Sequence, residues 1–270
     1  MEHRVLDHGY VSLIEKWGSD EAIIEAARMS TGKGFLGWGP KGLKCPTTGC
    51  GWEGSPEEVM YQNGDRCCPH GHFGLTTIEG DEKLLRFLYE NKHSTPFEMG
   101  GLTIEAQAPI FVFREWHRHR VPFGYSEMSA RYTPMPDVSF LPDAGNAVER
   151  SVAASKKNKQ AGLVDGAAVL THEVALELLS EEAGLLRQVE DLYQRKLKAG
   201  FPKELARTHL TVSRYSRMRA TGNLRGWLAF LTLRMAPGAQ KEIRDYANVV
   251  GTLVEEAFPR TWALFAEKLP

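Results

Sequence analysis

A strict alternation of side chains over residues 102–110 constrains the fold of this chain more than any other feature. The apolar side of the series consists of Leu102, Ile104, Ala106, Ala108 and Ile110, and the intervening positions hold Thr103, Glu105, Gln107 and Pro109. A period of two is typical of a β-strand with one buried face. We therefore predict a strand here that continues through residues 111–113 into the basic segment that follows.

Helical patterns surround this strand and predict an α+β fold. The expected helices run from the N-cap Ser19 to near Ser30, from Asp81 to before Pro96, through a long stretch ended by Gly200 and Pro202, and over 223–234 and 239–257. Residues 143–165 lack periodicity and are expected to form a mobile loop. Because strands and helices do not alternate as in βαβ units, we expect mixed helices around a small sheet.

Length, charge and hydropathy narrow the classes of protein that fit. A chain of 270 residues can form one large domain, which we expect to span residues 1–270 with an inserted module over 35–76. The formal net charge of −1 argues against a general nucleic-acid coat. Because we find no apolar run of about 18 residues and no signal-peptide pattern, we expect no membrane span and a cytoplasmic protein.

Cysteine usage indicates a metal site in the inserted module. The possible ligands, all clustered within it, are Cys45, Cys50, Cys67, Cys68, His70 and His72. Such clustering favours a metal over a disulfide scaffold, and four ligands suffice for tetrahedral Zn²⁺. We predict a structural zinc in a zinc-ribbon-like module, held most economically by Cys45, Cys50, Cys68 and His72. The choice between Cys67 and Cys68, and between His70 and His72, stays open at this point. The alternatives are reduced thiols without a ligand or an adventitious disulfide.

The segment REWHRHRVPFGYSEMSARY, from Arg114 to Tyr132, concentrates positive charge. Its basic side chains are Arg114, His117, Arg118, His119, Arg120 and Arg131. Arginine forks match phosphate geometry, and the aromatic side chains Trp116, Phe123 and Tyr125 lie among them. This mixture favours a planar, anionic ligand such as a nucleotide, whereas the simpler alternative is a solvated basic loop.

His117 and His119 form an H-x-H pair. On a strand both rings would lie on one face, as metal ligands sometimes do. Arg118 and Arg120 would repel a cation, and no nearby Asp or Cys supplies a third ligand. We therefore favour an anion site over a metal site at this pair.

Five motifs, in one order, resemble those of flavin-dependent thymidylate synthases. They are AARMS ending at Ser30, HSTPFE from His93 to Glu98, RHR from Arg118 to Arg120 with SEMSARY from Ser126 to Tyr132, NLRGWLAFLTLR from Asn223 to Arg234, and AQKEIRDYA from Ala239 to Ala247. The resemblance covers nearly the whole chain except residues 35–76 and 143–165. It says nothing about the cysteine-rich module.

Two departures from the family pattern stand out. The spacer between the RHR triplet and its serine, Val121 to Met128, has eight residues where the family has one fewer. A bulge at Gly124 would absorb the extra residue. In addition, Ala229 and Gly238 stand where family members often carry an Asn and a His.

The resemblance implies an enzyme that methylates dUMP to dTMP with FAD, NADPH or NADH, and 5,10-methylenetetrahydrofolate, as a homotetramer with active sites at subunit contacts. It implies that FAD is held by Ser30, Thr95, Arg118, His119, Arg120, Glu127, Asn223 and Arg225. It implies that dUMP meets Glu115, Trp116, His117, Arg118, Ser129, the Ala130 N–H, Arg131, Arg207 and Arg234. Arg234 would be the catalytic residue, stabilising negative charge that develops on the uracil ring.

Other sequence features agree with a flavin route. We find no GxGxxG motif after a strand, so a Rossmann turn would not hold the FAD. Every cysteine lies in the module, which fits a route without a cysteine nucleophile. Ser129 lacks a well-placed base and is expected to bind phosphate. The competing hypotheses are an RNA- or nucleotide-binding zinc protein that uses Trp52, Lys41 and Lys44, and a metal hydrolase that uses His117 and His119.

Overall fold

The computed structural model describes residues 2–153, 163–164 and 166–269. Its strands are β1 (Glu2–Val5), β2 (Gly9–Trp17), β3 (Gly42–Lys44), β4 (Glu53–Gly54), β5 (Met60–Gln62), β6 (Asp65–Cys67), β7 (Thr76–Ile78), β8 (Gly101–Pro109), β9 (Gly124–Glu127) and β10 (Tyr215–Asn223). Its helices are α1 (Asp20–Arg28), α2 (Glu82–Glu90), α3 (Ile110–Trp116), α4 (Ala144–Ala153), α5 (His172–Lys198), α6 (Lys203–Ala206), α7 (Leu224–Arg234), α8 (Lys241–Ala257) and α9 (Pro259–Ala266).

The chain divides into two compact units. The first consists of Met1–Lys16, Gly101–Glu256 and Leu269–Pro270, and the second of Trp17–Gly100 and Ala257–Lys268. Among the described helices, none combines the length and the apolar character that a membrane crossing requires.

The first unit is organised by a five-stranded sheet with the order β1-β2-β8-β10-β9. β8 and β10 are antiparallel over their whole length, from Gly101 opposite Asn223 to Pro109 opposite Tyr215. The alternation predicted for β8 is confirmed, since its fully buried side chains are Leu102, Ile104, Ala106 and Ala108. One face of the sheet is therefore core.

Helices α7 and α8 are hydrogen-bonded to this sheet. The indole N–H of Trp227 donates to the carbonyl of Leu102 over 3.1 Å, and the hydroxyl of Tyr246 donates to the carbonyl of Gln107 over 2.7 Å. Both aromatic side chains are fully buried. Burying one large apolar side chain contributes about 1.5–3 kcal/mol, so these residues fix both helices against the strands.

The central strand ends earlier than the sequence pattern predicts. β8 stops at Pro109 and α3 begins at Ile110, so the predicted continuation into the basic segment is wrong. Val112, Phe113 and Trp116 are buried at a spacing that places them on one face of a helix. Pro109, in extended backbone with φ −60°, makes the turn from strand to helix. The basic segment therefore begins at the end of a helix.

Part of the loop predicted over residues 143–165 is helical. α4 covers Ala144–Ala153, and the Asp143 carboxylate accepts from the N–H of Asn146 over 2.9 Å at its start. An aspartate that accepts from the first turn caps a helix, so the loop prediction is wrong for this part. Residues 154–162 and 165 lie outside the described residues.

The predicted long helix is confirmed as α5. The Thr171 side chain caps its first turn, and Gly200 follows its end with φ 86°, a left-handed conformation that favours glycine. Leu178 and Leu185, which the pattern places on one face of this helix, are each about half exposed within the chain.

The second unit contains α1, α2 and α9. Ser19 caps α1 as predicted, accepting from the N–H of Ala22 over 3.3 Å. The buried Asp20 carboxylate accepts from the N–H groups of Arg260 over 2.8 Å and Thr261 over 3.1 Å. One carboxylate thus joins the start of α1 to the start of α9.

The module over residues 35–76 contains more regular structure than its composition suggests. β3 is the middle strand of a sheet with the order β4-β3-β7, and β5 and β6 form a separate hairpin. Cys45 follows β3 directly and Cys67 ends β6. Short strands therefore place Cys45 and Cys67.

Candidate active site

Arg234 lies at the C-terminal end of α7 and is held by two residues of the first unit. Its Nη1 donates to Glu115 Oε2 over 2.7 Å, and Nη2 donates to the main-chain oxygen of Glu115 over 2.9 Å. Its Nε donates to His119 Nε2 over 2.9 Å. The side chain is 15% exposed. Arg234 is therefore a fixed cation that still reaches solvent, and not a mobile surface arginine.

His119 must be neutral to accept this hydrogen bond, with its proton on Nδ1. Burial lowers the pKa of His119 to about 4, and the Arg234 charge acts in the same direction while Glu115 opposes it. The Nε2 lone pair is used by Arg234, and the H-x-H pair follows a helix instead of lying on a strand. The metal hydrolase hypothesis is therefore wrong at this atom.

His117 lies where the end of α3 meets β9 and β10. Its Nε2 is 3.9 Å from Glu127 Oε2 and 3.0 Å from the Met218 sulfur. Tyr125 in β9 donates its hydroxyl to the carbonyl of His119 over 2.6 Å. These contacts bring His117, His119 and Glu127 together.

The loop after α3 packs directly on the start of α7. A Cβ at Gly226 would lie only 2.4 Å from Pro122 Cδ, so this position leaves room for no larger residue. Asn223 caps α7 by accepting from the N–H of Gly226 over 3.0 Å. Arg120 in the loop and Arg225 in the first turn of α7 are both exposed. Exposed guanidinium groups thus lie on two elements that touch.

The longer spacer contains no bulge at Gly124. Each residue of β9 pairs with one residue of β10, from Gly124 opposite Thr221 to Glu127 opposite Met218. The predicted bulge is therefore wrong. A turn in which the N–H of Phe123 donates to the carbonyl of Arg120 over 3.1 Å precedes the strand and contains the first spacer residues.

The structure places the Trp116 side chain in the core. Its indole is fully buried and stacks on Phe230, with ring centroids 5.0 Å apart. The Nε1 atom of Trp116 is buried without a hydrogen-bond partner among the described residues. Trp116 can therefore contact a ligand only through its main chain.

The SEMSARY motif continues into a loop held by α6. Lys203 Nζ donates to the carbonyl of Tyr132 over 2.8 Å, and Arg131 Nε donates to Glu204 over 3.2 Å. Arg207 follows α6 directly and is exposed. Within the loop, Ser129 Oγ accepts from the N–H of Arg131 over 3.3 Å. The loop and the segment that carries Arg207 are thus in contact.

Arg118 extends from the same segment toward solvent. Its side chain is 72% exposed, and its Nη1 is 3.9 Å from Glu115 Oε1. Glu115 therefore lies between two arginines, the largely buried Arg234 and the exposed Arg118. Ala130, by contrast, is buried.

Ser30 and Thr95 belong to the second unit. Ser30 follows α1 and donates its hydroxyl to the carbonyl of Ala27 over 3.2 Å. Thr95 lines an open concavity of about 400 Å³, whose other lining residues are Ala26, Ala27, Leu88, His93, Ser94, Pro96 and Met99. The end of α1 and the HSTPFE motif are thus neighbours in one unit.

The predicted metal ligands converge in the module. The ligand atoms of Cys45, Cys50, Cys68 and His72 all lie within 4.8 Å of one another. The Cys50 and Cys68 sulfurs are 3.7 Å apart, and His72 Nδ1 is 3.6 Å from the Cys68 sulfur. Three sulfurs and one imidazole at this spacing match the donor set of a tetrahedral zinc site.

Cys67 and His70 stand outside this group. The Cys67 thiol is directed to the carbonyl of Met60 over 3.5 Å. His70 is exposed and lies outside the converging group, with its Nδ1 3.2 Å from the Cys50 sulfur. Of the candidates in the sequence, the geometry therefore favours Cys68 over Cys67 and His72 over His70.

The sequence patterns missed three features of this region. β10 was not predicted, although Arg217, Arg219 and Thr221 alternate with buried Met218 and Ala220, a period-two signal. Lys203 and Glu204, which hold the SEMSARY loop, carry no local signal, because their partners are about 70 residues away. The role of Glu115 as the partner of Arg234 likewise requires the fold.

Comparisons with known proteins point to one family. The model of the family described as "Thymidylate synthase complementing protein" matches residues 12–260. A flavin-dependent thymidylate synthase of Thermus thermophilus is 33% identical over 270 residues, which cover 98% of this chain and 78% of the relative. One from Thermosipho melanesiensis is 31% identical, with 98% and 93% covered.

A solved structure extends the likeness to the whole fold. The UMP/dUMP methylase PolB of Streptomyces cacaoi, crystallised with 5-Br UMP, matches with a TM-score of 0.69 and 25% identity, over 98% of this chain and 97% of that one. Both the sequence relatives and this fold cover nearly the full chain. The chain belongs to the flavin-dependent thymidylate synthase family.

Proposed function

We propose that this chain converts dUMP to dTMP at a site centred on Arg234, with FAD as its bound cofactor and with NADPH and 5,10-methylenetetrahydrofolate as co-substrates. The observation that carries the proposal is the fixed guanidinium of Arg234, held by Glu115 and His119. The related PolB is a UMP/dUMP methylase, which supports a pyrimidine nucleotide as the substrate.

Arg234 would act on the uracil ring. An arginine has five N–H donors, and three of those in Arg234 have protein acceptors. The remaining donors can stabilise negative charge that develops on the ring as C5 becomes nucleophilic. Because the protein already fixes the guanidinium, little reorganisation is needed when that charge appears.

The SEMSARY loop would hold the dUMP phosphate through the Ser129 hydroxyl, the Ala130 N–H and Arg131, and Arg207 would join them from the segment after α6. Arg131 is paired with Glu204, but both side chains are more than half exposed. Exposed ion pairs contribute little, so a phosphate can replace this carboxylate. Glu115, the main chain of Trp116, His117 and Arg118 would complete the dUMP contacts.

The residues proposed for FAD fit a phosphate-bearing cofactor by their chemistry. They are Ser30, Thr95, Arg118, His119, Arg120, Glu127, Asn223 and Arg225, among which exposed guanidinium groups supply charge-assisted donors. His119 would offer its Nδ1–H. When bound, FAD carries the reducing equivalents, while these residues bind and orient it.

A homotetramer would bring such residues together at subunit contacts. Exposed apolar residues that share one face of α5 support this assembly; they are Val174, Leu178 and Leu185. Exposed apolar side chains along one helix face are a feature of interaction sites. A second copy of this chain is the partner that the proposal assigns to it.

The module would bind one zinc per chain in a zinc-ribbon-like structure, on Cys45, Cys50, Cys68 and His72. Four protein ligands close a zinc site and leave no position for substrate. The proposed chemistry also needs no Lewis acid in the module. The role of this zinc would therefore be structural, because a segment with few core residues gains stability from such a cross-link.

An absorbance spectrum of the purified protein, with and without dUMP, tests the proposal. We expect a flavin spectrum that dUMP perturbs. A protein that contains zinc, stays colourless and binds no flavin even with excess FAD would contradict the proposal and favour the RNA-binding alternative.

A further inference from the structure

We propose that Asp81 is a positioning residue that couples the zinc module to the part of the second unit that carries Ser30 and Thr95. This inference rests on the proposed function, since it concerns how those residues are held for FAD. It assigns the module an effect on cofactor affinity, transmitted through one buried carboxylate.

The Asp81 side chain joins α1 to the start of the module. It is fully buried. Its Oδ1 accepts from Nε of Arg28, the last residue of α1, over 3.1 Å and also from Nη2 of that residue. Its Oδ2 accepts from the N–H of Leu36 over 2.7 Å. A single carboxylate thus links the end of α1, the first residues of the module and the start of α2.

The main chain around Asp81 is packed equally closely. The Asp81 N–H donates to the carbonyl of Gly37 over 3.0 Å. A Cβ at Gly80 would lie 2.4 Å from the carbonyl oxygen of Gly39, so only glycine permits this approach. Residues 37–39 therefore lie directly on the segment that precedes α2.

Trp38 adds a second attachment between the same elements. Its Nε1 donates to Glu21 in the first turn of α1 over 2.5 Å, and the Arg260 guanidinium lies over its ring at 4.4 Å. Arg260 also donates to Glu82 over 3.0 Å, and Glu82 accepts from the N–H of Gly39 over 2.5 Å. Residues 36–39 are thus attached to α1, α2 and α9, and we call this set of contacts the clamp.

The module's sheet connects this clamp to the zinc ligands. Gly42 pairs with Ile78 at one end of β3 and β7, and the N–H of Lys41 donates to the carbonyl of Ile78 over 2.8 Å. Cys45 follows the other end of β3. Asp81 and the zinc cluster therefore lie at opposite ends of one small sheet, so order imposed at the metal extends to Asp81.

The same clamp fixes both sides of the concavity. On one side, the concavity is lined by Ala26 and Ala27 of α1. Ser30 lies two residues beyond the last residue of that helix, Arg28, whose carbonyl accepts from the Thr31 hydroxyl over 2.9 Å. On the other side, α2 begins directly after Asp81 and leads through Leu88 to Thr95. Zinc binding and FAD binding both favour an ordered clamp, so their affinities should be linked, and linkage is reciprocal.

The test measures FAD affinity of the full-length protein by flavin fluorescence, with zinc bound and after chelation. Removing zinc from the wild type should weaken FAD binding by about tenfold, a typical coupling. Asp81→Asn should keep its zinc and weaken FAD binding by a similar factor, and chelation should then add less than about twofold. Glu79→Gln, an exposed carboxylate beside the same segment, is the matched control and should behave as the wild type.

A merely structural role predicts different readouts. A variant that destabilises the whole chain would weaken dUMP binding as well. The proposed coupling instead leaves the Kd for dUMP within about twofold of the wild-type value, as measured by calorimetry without added FAD. If Asp81→Asn does not fold, Trp38→Phe tests the same clamp, because it keeps the aromatic ring and loses the N–H bond to Glu21. An FAD affinity that stays the same when zinc is removed would overturn the coupling. Independent effects of zinc removal and of Asp81→Asn on FAD affinity would also overturn it. A wild type that binds no FAD at all would instead overturn the proposed function.

Discussion

Glu115 holds Arg234 at two points, through its carboxylate over 2.7 Å and through its main-chain oxygen over 2.9 Å. The main-chain bond ties Arg234 to the end of α3 whatever residue occupies position 115. The carboxylate bond adds a charge that balances the guanidinium in a half-buried setting. The cation proposed to act on uracil is therefore oriented before any substrate arrives.

Replacing Arg234 should separate catalysis from folding. We predict that Arg234→Ala folds and binds FAD nearly as the wild type does, whereas its rate of dTMP formation falls about 10²–10³-fold, the usual cost of losing one charge-stabilising donor. Single-turnover assays with saturating dUMP measure this rate. A rate close to that of the wild type would remove Arg234 from the catalytic role.

Replacing Arg207 should act on substrate binding. A phosphate contact serves the ground state and the transition state alike, so Arg207→Ala should raise the KM for dUMP about tenfold or more, the effect of losing roughly 1.5–3 kcal/mol of charge-assisted hydrogen bonding, and should change kcat little. Arg4→Ala, an exposed arginine paired only with Glu2 among the described residues, is the control. Unchanged dUMP affinity in Arg207→Ala would exclude Arg207 from the site.

The depressed pKa of His119 should appear in the pH dependence of stability. In the unfolded chain this histidine binds a proton below about pH 6.5, whereas in the folded chain burial and Arg234 delay protonation to about pH 4. The unfolded state therefore binds more protons in this window, and stability should fall as pH falls from 6.5 to 4. Melting curves should show a shallower decline in His119→Gln, which keeps an acceptor for Arg234. Parallel curves would contradict the neutral His119.

The zinc ligands should be separable from the cysteine beside them. Cys45→Ser and Cys68→Ser should lose most of the zinc and become more sensitive to proteolysis within residues 35–76, because a four-ligand site does not tolerate the loss of a thiolate. Cys67→Ser should retain about one zinc per chain, since its thiol is directed to the carbonyl of Met60. Elemental analysis measures zinc content; similar content in all three variants would contradict the assigned ligand set.

The zinc should also be structural. Activity in Cys45→Ser and Cys68→Ser should fall less than in Arg234→Ala, because saturating FAD offsets their weaker FAD affinity. Steady-state rates at saturating FAD make this comparison. Loss of turnover on chelation with flavin and assembly intact would contradict a structural role.

The sequence predicted those helices and strands whose pattern comes from residues close together in the chain. The buried face of β8, the long α5 and the Ser19 cap follow from neighbouring residues. The clustered cysteines and histidines indicated a metal site, but the choice of Cys68 over Cys67 and of His72 over His70 required the fold. The strand expected beyond Pro109 fails because a short apolar run fits helix and strand equally well. In the helix, Trp116 packs on Phe230. Because these two residues are more than 100 positions apart in the chain, local periodicity does not report the contact.

The candidate site was predictable in its residue types but not in its contacts. The resemblance supplied Arg234, His119 and Glu115 as separate ligand contacts, whereas the fold joins them to one another. Asp81 carried no motif at all, and its importance comes from the packing of Arg28 and Leu36 around one carboxylate. Sequence patterns report which groups are present, and tertiary contacts decide which of them act together.

Formation of dTMP by the purified protein is the most direct test of the proposed FAD-dependent reaction. The protein is supplied with dUMP, 5,10-methylenetetrahydrofolate and NADPH, and dTMP is quantified with FAD bound and after FAD has been stripped. We predict that dTMP forms with bound FAD, falls to background without it and returns when FAD is restored. Flavin-loaded protein that leaves dUMP unchanged would contradict the proposed reaction. So would dTMP formation that continues at the same rate after FAD has been stripped.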